Sequence, residues 1–249
     1  MRLLVINPNT SAATTERLAQ NLPLALPADT QLTCITVHFG AAYIACEASY
    51  AVAGHALLDA WATHLRVTPA LEHPDRVLIG CFGDPGLHAL REGSACPVTG
   101  LAEASFIEAA ALGPFAIVTG GARWAPMLKR VAQSLGYAGS LKHIETVRET
   151  GAELLADPEF AVKVLTTACE RAAAQNVKSI ILGGAGLAGY AALVQLAIQL
   201  PVIDSVLAGA RVVISETLPS PERSAPQFDA RWTGVSDAIF TLSRAALPL

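Results

Sequence analysis

The 249-residue sequence has few charged residues, no excess of basic residues and no long apolar run. Charged side chains make up 15% of the chain, and 21 acidic residues outnumber 17 Lys and Arg residues, which gives a net charge of -4. A surface without a positive field does not attract nucleic acid or anionic lipid, so neither is an expected partner. No apolar stretch reaches the roughly 18 to 20 residues that span a bilayer. The expected partner is a small molecule, and the composition leaves a homo-oligomer open.

Cysteine and histidine are present without the spacings that bind metals or form disulfide frameworks. The five cysteines include no C-x-x-C pair, and the six histidines form no H-x-x-x-H pattern. We therefore expect neither a metal site nor structural disulfides, and each cysteine must be judged by its surroundings. The cysteines are Cys34, Cys46, Cys81, Cys96 and Cys169.

Hydrophobic residues make up 52% of the chain, and short apolar runs alternate with Ala- and Leu-rich segments of helical spacing. This pattern is typical of buried parallel strands in an α/β protein. Because Asn7 and Pro8 interrupt the first run, it is predicted to be a strand rather than a signal peptide, and we expect a cytoplasmic protein. Strands are predicted over 3–6, 32–37, 76–80, 115–119, 179–183 and 200–204. Helices are predicted over 12–21, 49–65, 100–111, 122–136, 159–174, 187–199 and 205–217, with a final helix after the polar loop 220–227.

Two segments of the chain resemble each other. Residues 77–83, VLIGCFG, and residues 180–186, IILGGAG, both have three apolar residues, a glycine, two variable residues and a second glycine. A Pro-Val pair, Pro97-Val98 and Pro201-Val202, follows each segment at nearly the same distance, and the next strand is predicted to begin there. We infer two similar lobes, each a parallel sheet flanked by helices, related by a pseudo-twofold axis. The carboxyl ends of their strands would face one crevice, where open α/β sheets place their ligands.

The second segment also contains a G-x-G-x-x-G pattern, formed by Gly184, Gly186 and Gly189, with Asp204 downstream. In a dinucleotide-binding fold such a loop usually opens the first βαβ unit. Here it falls late in the chain, and its counterpart at 80–83 lacks the glycine fingerprint. A nucleotide site is therefore a weak interpretation, and glycines needed only for a tight turn are a stronger one. Asp204 is interpreted as a strand-end cap rather than as a ribose ligand.

Cys81 lies on the turn GCFGDPG, directly after a predicted buried strand. A thiol there would face the crevice near backbone N–H groups, including those of a following helix, which favour the thiolate. Cys81 is therefore the predicted acid or base. Cys34 and Cys169 fall within a predicted strand and helix, where a buried, unreactive role is expected. Cys46 and Cys96 are left undecided.

Seven segments together resemble the Asp/Glu racemase superfamily, in particular its hydantoin and allantoin racemase branch. They are INPNTS (6–11), GCFGDPGL (80–87), PVTGLAEA (97–104), VTGGAR (118–123), ETVRETG (145–151), LGGAGLAG (182–189) and PVIDS (201–205). The resemblance implies two α/β lobes around a small cleft, two cysteines facing each other across the substrate carbon, and no cofactor. It implies that Cys81 is the first of these cysteines, whereas Gly184 stands where the second is expected.

The same resemblance carries over a set of substrate-binding positions, namely Asn9, Phe82, Gly83, Thr119, Gly120, Ala185 and Gly186. The lobes are expected to comprise residues 1–101 plus 208–249 and residues 102–207. Two further groups are predicted from their positions alone. Asn7, Asn9, Thr10 and Ser11 would bond a polar ligand or cap a helix, and Asp84 would orient backbone or a ligand, or cap the next helix.

Three functions fit these residues. A hydantoin racemase-like isomerase would use Cys81 to move the proton next to a carbonyl, with turn amides stabilising the enolate oxygen. Because Gly184 has no side chain, a decarboxylase of disubstituted (aryl)malonates with one-face protonation by Cys81 is an alternative. The resemblance extends to arylmalonate decarboxylases, which have a single cysteine opposite a glycine in the reverse arrangement. A relative that binds a small molecule without turnover is the third.

Overall fold

A computed structural model of the protein describes residues 1–149, 151–219, 221 and 225–244. Its strands form two four-stranded sheets in which every pairing is parallel. The first sheet contains β1 (Arg2–Asn7), β2 (Gln31–Thr36), β3 (Arg76–Ile79) and β4 (Val98–Gly100), in the order β2-β1-β3-β4. The second contains β5 (Phe115–Gly120), β6 (Leu141–Val147), β7 (Ser179–Gly183) and β8 (Val202–Asp204), in the order β6-β5-β7-β8. The shared strand order confirms the two similar α/β lobes that the internal repeat predicts.

Helices flank both sheets, as the alternation of apolar runs and helical segments predicts. In the first half of the chain they are α1 (Ala12–Asn21), α2 (Glu47–Val67), α3 (Leu87–Gly93) and α4 (Leu101–Leu112). In the second half they are α5 (Trp124–Ser134), α6 (Gly151–Ala156), α7 (Pro158–Ala173), α8 (Tyr190–Gln195), α9 (Ser205–Val213) and α10 (Asp237–Arg244). Short 3-10 helices cover Leu22–Leu24, Ala70–Glu72 and Ala185–Leu187. Within these residues, no helix has the length and apolar character that crossing a bilayer requires.

The central strands are buried along nearly their whole length, whereas the edge strands β2 and β6 are partly exposed. Burial on both faces selects continuous apolar runs, which is why β1, β3, β5 and β7 are visible in the sequence. β6 carries Lys142, His143 and Glu145 and was missed, because an edge strand tolerates polar side chains. The short helices α3 and α6 were also absent from the predicted helices, whereas β4 confirms the strand predicted to begin at Pro97-Val98.

A hydrophobic cluster that includes Leu78 of β3 and Ile181 of β7 joins the two lobes, and the second lobe has a further cluster of its own. Phe106 of α4 lies at the contact between the lobes, with its ring centroid 6.2 Å from that of Phe82 and 5.5 Å from that of Phe115. Each fully buried side chain of this size contributes about 1.5 to 3 kcal/mol of stability. The carboxyl ends of the two sheets are therefore held in a fixed arrangement around the space between them.

Helix ends differ from the predictions where glycine and capping residues intervene. The helix predicted over 187–199 is observed as α8, which begins only at Tyr190 because Gly189 adopts a φ of 86°, in the left-handed region, and which ends at Gln195. The helix predicted over 205–217 ends at Val213, and α10 packs against α2. The division into residues 1–101 plus 208–249 and residues 102–207 stays a prediction.

Candidate active site

A cavity of about 190 Å³ opens where the strands of both sheets end. Its wall contains residues that follow β1 and β3 in the first lobe, and β5 and β7 in the second. Sites for drug-sized ligands usually measure roughly 300 to 1,000 Å³, so this volume suits a smaller molecule. The lining residues are Asn9, Ser11, Thr14, Ala42, Tyr43, Ile44, Gly80, Cys81, Phe82, Thr119, Gly120, Trp124, Gly183, Gly184, Ala185, Gly186 and Leu187.

Of the five cysteines, all of which are described, only Cys81 lines this cavity. Cys34 lies on β2 and Cys169 in α7, as the sequence predicts. Cys46 lies outside the cavity, immediately before α2, and Cys96 is hydrogen-bonded to Ser94. The pKa of Cys46 is lowered, chiefly by its hydrogen bonds with Ser49. Position, rather than an intrinsically low pKa, is therefore what distinguishes Cys81.

The expectation that the turn favours the Cys81 thiolate is wrong. The side chain is only 7% exposed, and burial, followed by the nearby Asp84 carboxylate, raises the pKa of the Cys81 thiol well above its usual range. The helix thought to help, α3, begins only at Leu87. Desolvation disfavours the charged form, so Cys81 is a protonated thiol in the free protein.

Gly184 occupies, in the second lobe, the place that Cys81 has in the first. Cys81 follows β3 after one further residue, Gly80, and Gly184 directly follows β7. β3 and β7 are each the third strand of their sheet, and both positions lie in the two matching segments. Gly184 has a φ of 144°, and its N–H donates to the Ser205 hydroxyl at 3.1 Å. That amide is thus already engaged, so the predicted oxyanion donors of this turn must be other N–H groups.

Three other donors remain for a ligand oxygen. The N–H groups of Ala185 and Gly186 begin a 3-10 turn and have no acceptor among the described residues. The Asn9 side-chain oxygen accepts from the Ser11 N–H and from the Asn7 amide, at 2.9 and 3.0 Å. These contacts fix the amide orientation and leave the Asn9 nitrogen as a donor on the cavity wall. Asn7 itself is fully buried and holds the loop after β1, while Ser11 caps α1.

Two of the predicted positions, Gly83 and Asp84, do not line the cavity and instead stabilise the structure around it. Gly83 does not line the cavity: a Cβ atom there would lie 2.5 Å from the Trp124 ring, so glycine allows the close approach of that indole. Asp84 accepts the N–H groups of Ala102 and Glu103 and so caps α4, not the helix that follows it directly. Burial nevertheless raises the pKa of Asp84 to about 7.

The remaining predicted positions lie where the cavity is. Phe82, Thr119, Gly120, Ala185 and Gly186 all line it, and the Thr119 hydroxyl donates to the Gly183 carbonyl oxygen at 2.7 Å. Their roles toward a substrate stay predictions. Asp204 caps α9 and accepts the Gly189 N–H at 2.7 Å. The glycine pattern at 184–189 is therefore tied to a helix cap rather than to a nucleotide.

Sequence reasoning predicted Phe82 but missed Tyr43, Ile44 and Trp124, which make up most of the remaining aromatic and aliphatic wall. Tyr43 and Ile44 come from the loop between β2 and α2, and Trp124 begins α5. A signal was available for this loop, because it follows the carboxyl end of a parallel strand and must lie at the same edge as Cys81. Among the lining residues none is Asp, Glu, Lys, Arg or His. The described residues also contain no His/Cys/Asp/Glu cluster suited to a metal ion.

Comparison with known proteins identifies the family. The profile of the Asp/Glu/Hydantoin racemase family matches residues 3–213. The chain belongs to this family. A hydantoin racemase of Pseudomonas sp. (strain NS671) is 33% identical over 225 residues, which are 88% of this chain and 86% of that protein. An allantoin racemase from Klebsiella pneumoniae has a TM-score of 0.83 at 26% identity, covering 94% of this chain and 97% of that one.

The same fold is found in enzymes with a different activity. A crystal structure of arylmalonate decarboxylase has a TM-score of 0.57 at 18% identity, covering 89% of this chain and 96% of that one. At this identity the likeness concerns the fold alone. Membership of the Asp/Glu/hydantoin racemase family rests on the sequence match, and the chemistry must be argued from the cavity.

Proposed function

We propose that the protein catalyses cofactor-independent proton transfer at the acidic C–H bond of a small neutral carbonyl compound such as a 5-substituted hydantoin. The observation that carries the proposal is the position of Cys81, alone among the cysteines, on the wall of the cavity between the lobes. A family of racemases provides the context. Cys81 is the group that takes and returns the proton.

The lining favours a neutral ring over an anion. No charged side chain is found among the lining residues, and Ile44, Phe82 and Trp124 make much of the wall apolar. An unpaired carboxylate would lose its hydration there without gaining a cationic partner, which is costly. A hydantoin ring is uncharged in its protonated form, and its carbonyl oxygens can accept from the Asn9 amide and the two free turn N–H groups.

The proton transfer then has three parts. Cys81 first loses its proton to solvent, because the thiolate is the base and the free protein holds the thiol. The thiolate removes the proton next to the ring carbonyl, and the electron pair moves onto the carbonyl oxygen. Fixed donors around that oxygen stabilise the negative charge, which is the larger part of the catalytic effect. The thiol can return the proton to the same face.

A decarboxylase is the second candidate, and the absence of a side chain at Gly184 favours it. Loss of carbon dioxide from a disubstituted malonate needs no base and leaves an enediolate, which the neutral Cys81 thiol could protonate on one face. The uncharged lining argues against it, because a malonate brings two carboxylates. A relative that binds its ligand without turnover is the third candidate.

One set of measurements separates the three. Each enantiomer of 5-benzylhydantoin is incubated in heavy water, with deuterium uptake followed by NMR and configuration by circular dichroism. Exchange above the rate of Cys81→Ser supports the proposal, and its absence contradicts it. Release of bicarbonate from 2-methyl-2-phenylmalonate would indicate the decarboxylase. Thermal stabilisation by the hydantoin without exchange would indicate a binding protein.

A further inference from the structure

The hydroxyl of Tyr43 reaches across the cavity from one lobe to the other. Tyr43 belongs to the first-lobe loop between β2 and α2, and its hydroxyl donates to the Gly120 carbonyl oxygen in the second lobe at 3.3 Å. A Cβ atom built on Gly121 would lie 2.6 Å from the same hydroxyl oxygen. The oxygen therefore lies against the carboxyl end of β5, on the second-lobe wall.

This place is next to the turn that lacks a thiol. β5 and β7 are neighbouring parallel strands in which Thr119 pairs with Gly183, so Gly120 and Gly184 follow at adjacent strand ends. Cys81, by contrast, follows β3 in the other sheet. The Tyr43 hydroxyl and the Cys81 thiol consequently belong to opposite walls of one cavity.

The phenol has the chemical properties that the second wall otherwise lacks. Burial raises the pKa of Tyr43, and negative charge at Cys81 or Glu153 raises it further, so the phenol holds its proton at neutral pH. A hydrogen bond with Trp124 lowers the pKa and would stabilise the phenolate after the proton has left. Thr119, the other hydroxyl on this wall, is bound to the Gly183 carbonyl and is a much weaker acid.

We propose that Tyr43 is a catalytic residue that carries the proton on the face opposite Cys81, in place of a thiol at position 184. The inference rests on the proposed function. The Cys81 thiolate removes the proton from carbon, and the C–H electron pair becomes that of the enolate. The enolate carbon takes the Tyr43 proton on its other face, which leaves a phenolate and an inverted product. Water then protonates the phenolate and accepts the Cys81 proton, so the cycle consumes nothing.

The test compares inversion with exchange in Tyr43→Phe, which keeps the ring and removes the hydroxyl. Each enantiomer of 5-benzylhydantoin is incubated in heavy water, and inversion and deuterium uptake with retained configuration are measured separately. Inversion should fall at least 100-fold, while exchange on the Cys81 face stays within about threefold of wild type. Tyr137→Phe makes the same change outside the cavity and should leave both rates unaltered. Gly184→Cys in the Tyr43→Phe background should recover inversion, which shows that the cavity is intact.

The outcomes also separate this inference from the proposed function. Equal inversion in wild type and Tyr43→Phe, or exchange without inversion in wild type, would overturn the role of Tyr43 and leave Cys81 chemistry standing. Loss of exchange together with inversion in a folded Tyr43→Phe would contradict a role on one face only. Failure of wild type to exchange any proton above Cys81→Ser would remove the proposed function and this inference with it.

Discussion

The turns at Cys81 and Gly184 have the same scaffold and different chemistry. Each follows the third strand of a four-stranded parallel sheet, and each faces the same cavity. The first turn presents a buried thiol, whereas the second presents backbone N–H groups and has no side chain at position 184. The comparison teaches that two matching turns can face one cavity although only one of them carries a reactive side chain. A second reactive group can then come from a different loop.

Different contacts surround the two turns. In the first lobe, Asp84 ties the Cys81 turn to the start of α4 through two backbone N–H groups. In the second, Ser205 holds the Gly184 N–H, and Tyr43 enters from the first lobe to supply a hydroxyl. The two turns therefore have similar backbones but differ in the side chains that contact them.

Removal of the Cys81 thiol should have the largest effect. Positioned acid or base catalysis is worth about 10² to 10⁴ in rate, so hydantoin exchange should fall by that factor in Cys81→Ser. Deuterium uptake by NMR measures it. Cys96→Ser, which changes a half-buried cysteine outside the cavity, is the control and should retain the wild-type rate. Full activity in Cys81→Ser would mean that the thiol is not the acid or base, and the two turns would then not differ in catalytic role.

The pH dependence should reflect the burial of Cys81. Because its pKa is raised, the thiolate fraction at neutral pH is small and grows with pH. Exchange corrected for the Cys81→Ser rate should rise about tenfold per pH unit from about pH 6 to 8.5, without levelling at the usual thiol pKa of roughly 8.5. Rates are measured at constant ionic strength. A plateau below about pH 8 would mean that the turn favours the thiolate after all.

A thiol at position 184 should make the two turns chemically alike. A cysteine ionises at about pH 8.5 and a tyrosine at about 10, so a thiol is the better base on this wall at neutral pH. Inversion of the enantiomer whose proton faces the second lobe should rise at least tenfold in Gly184→Cys. Chiral chromatography measures the initial rate.

Backbone strain limits that gain and requires a control. The φ of 144° is unfavourable for a side chain and costs roughly 1 to 3 kcal/mol, although the nearest atom to a Cβ there would be Leu187 Cγ, at an ordinary contact distance of 3.4 Å. Gly184→Ala adds the same strain without a proton carrier and should show no gain. Equal inversion in the two folded variants would mean that position 184 does not face the substrate carbon.

The glycines that precede the two turns should differ in stability when changed to alanine. A Cβ atom at Gly183 would overlap the Phe82 ring, whereas one at Gly80 would meet the end of Leu18, at 2.5 Å from Cδ1. A ring is harder to displace than a terminal methyl group, so Gly183→Ala should cost about 1 to 3 kcal/mol and Gly80→Ala less. Thermal melting should show a decrease of about 2 to 12 °C for Gly183→Ala. A larger decrease in Gly80→Ala would reverse this comparison.

Much of the scaffold could be predicted because burial on both faces leaves continuous apolar runs. β1, β3, β5 and β7 were visible for that reason, whereas the edge strand β6 was not. The repeat of glycine spacings placed Cys81 and Gly184 on equivalent turns, since such turns need residues without bulky side chains at fixed positions. Of the seven substrate-binding positions predicted besides these two, six line the cavity, and the seventh, Gly83, packs against the Trp124 ring.

The sequence by itself determined the parallel α/β class, the two lobes and the pair of turns, because each depends on local patterns of apolar residues and glycine. Tertiary structure alone decided that the Cys81 thiol is protonated, because its pKa depends on desolvation and on Asp84. It also decided that Tyr43 reaches the second-lobe wall. That contact joins residues 77 positions apart, and no periodicity in the chain specifies which loop residue crosses a cavity formed only when two lobes pack together.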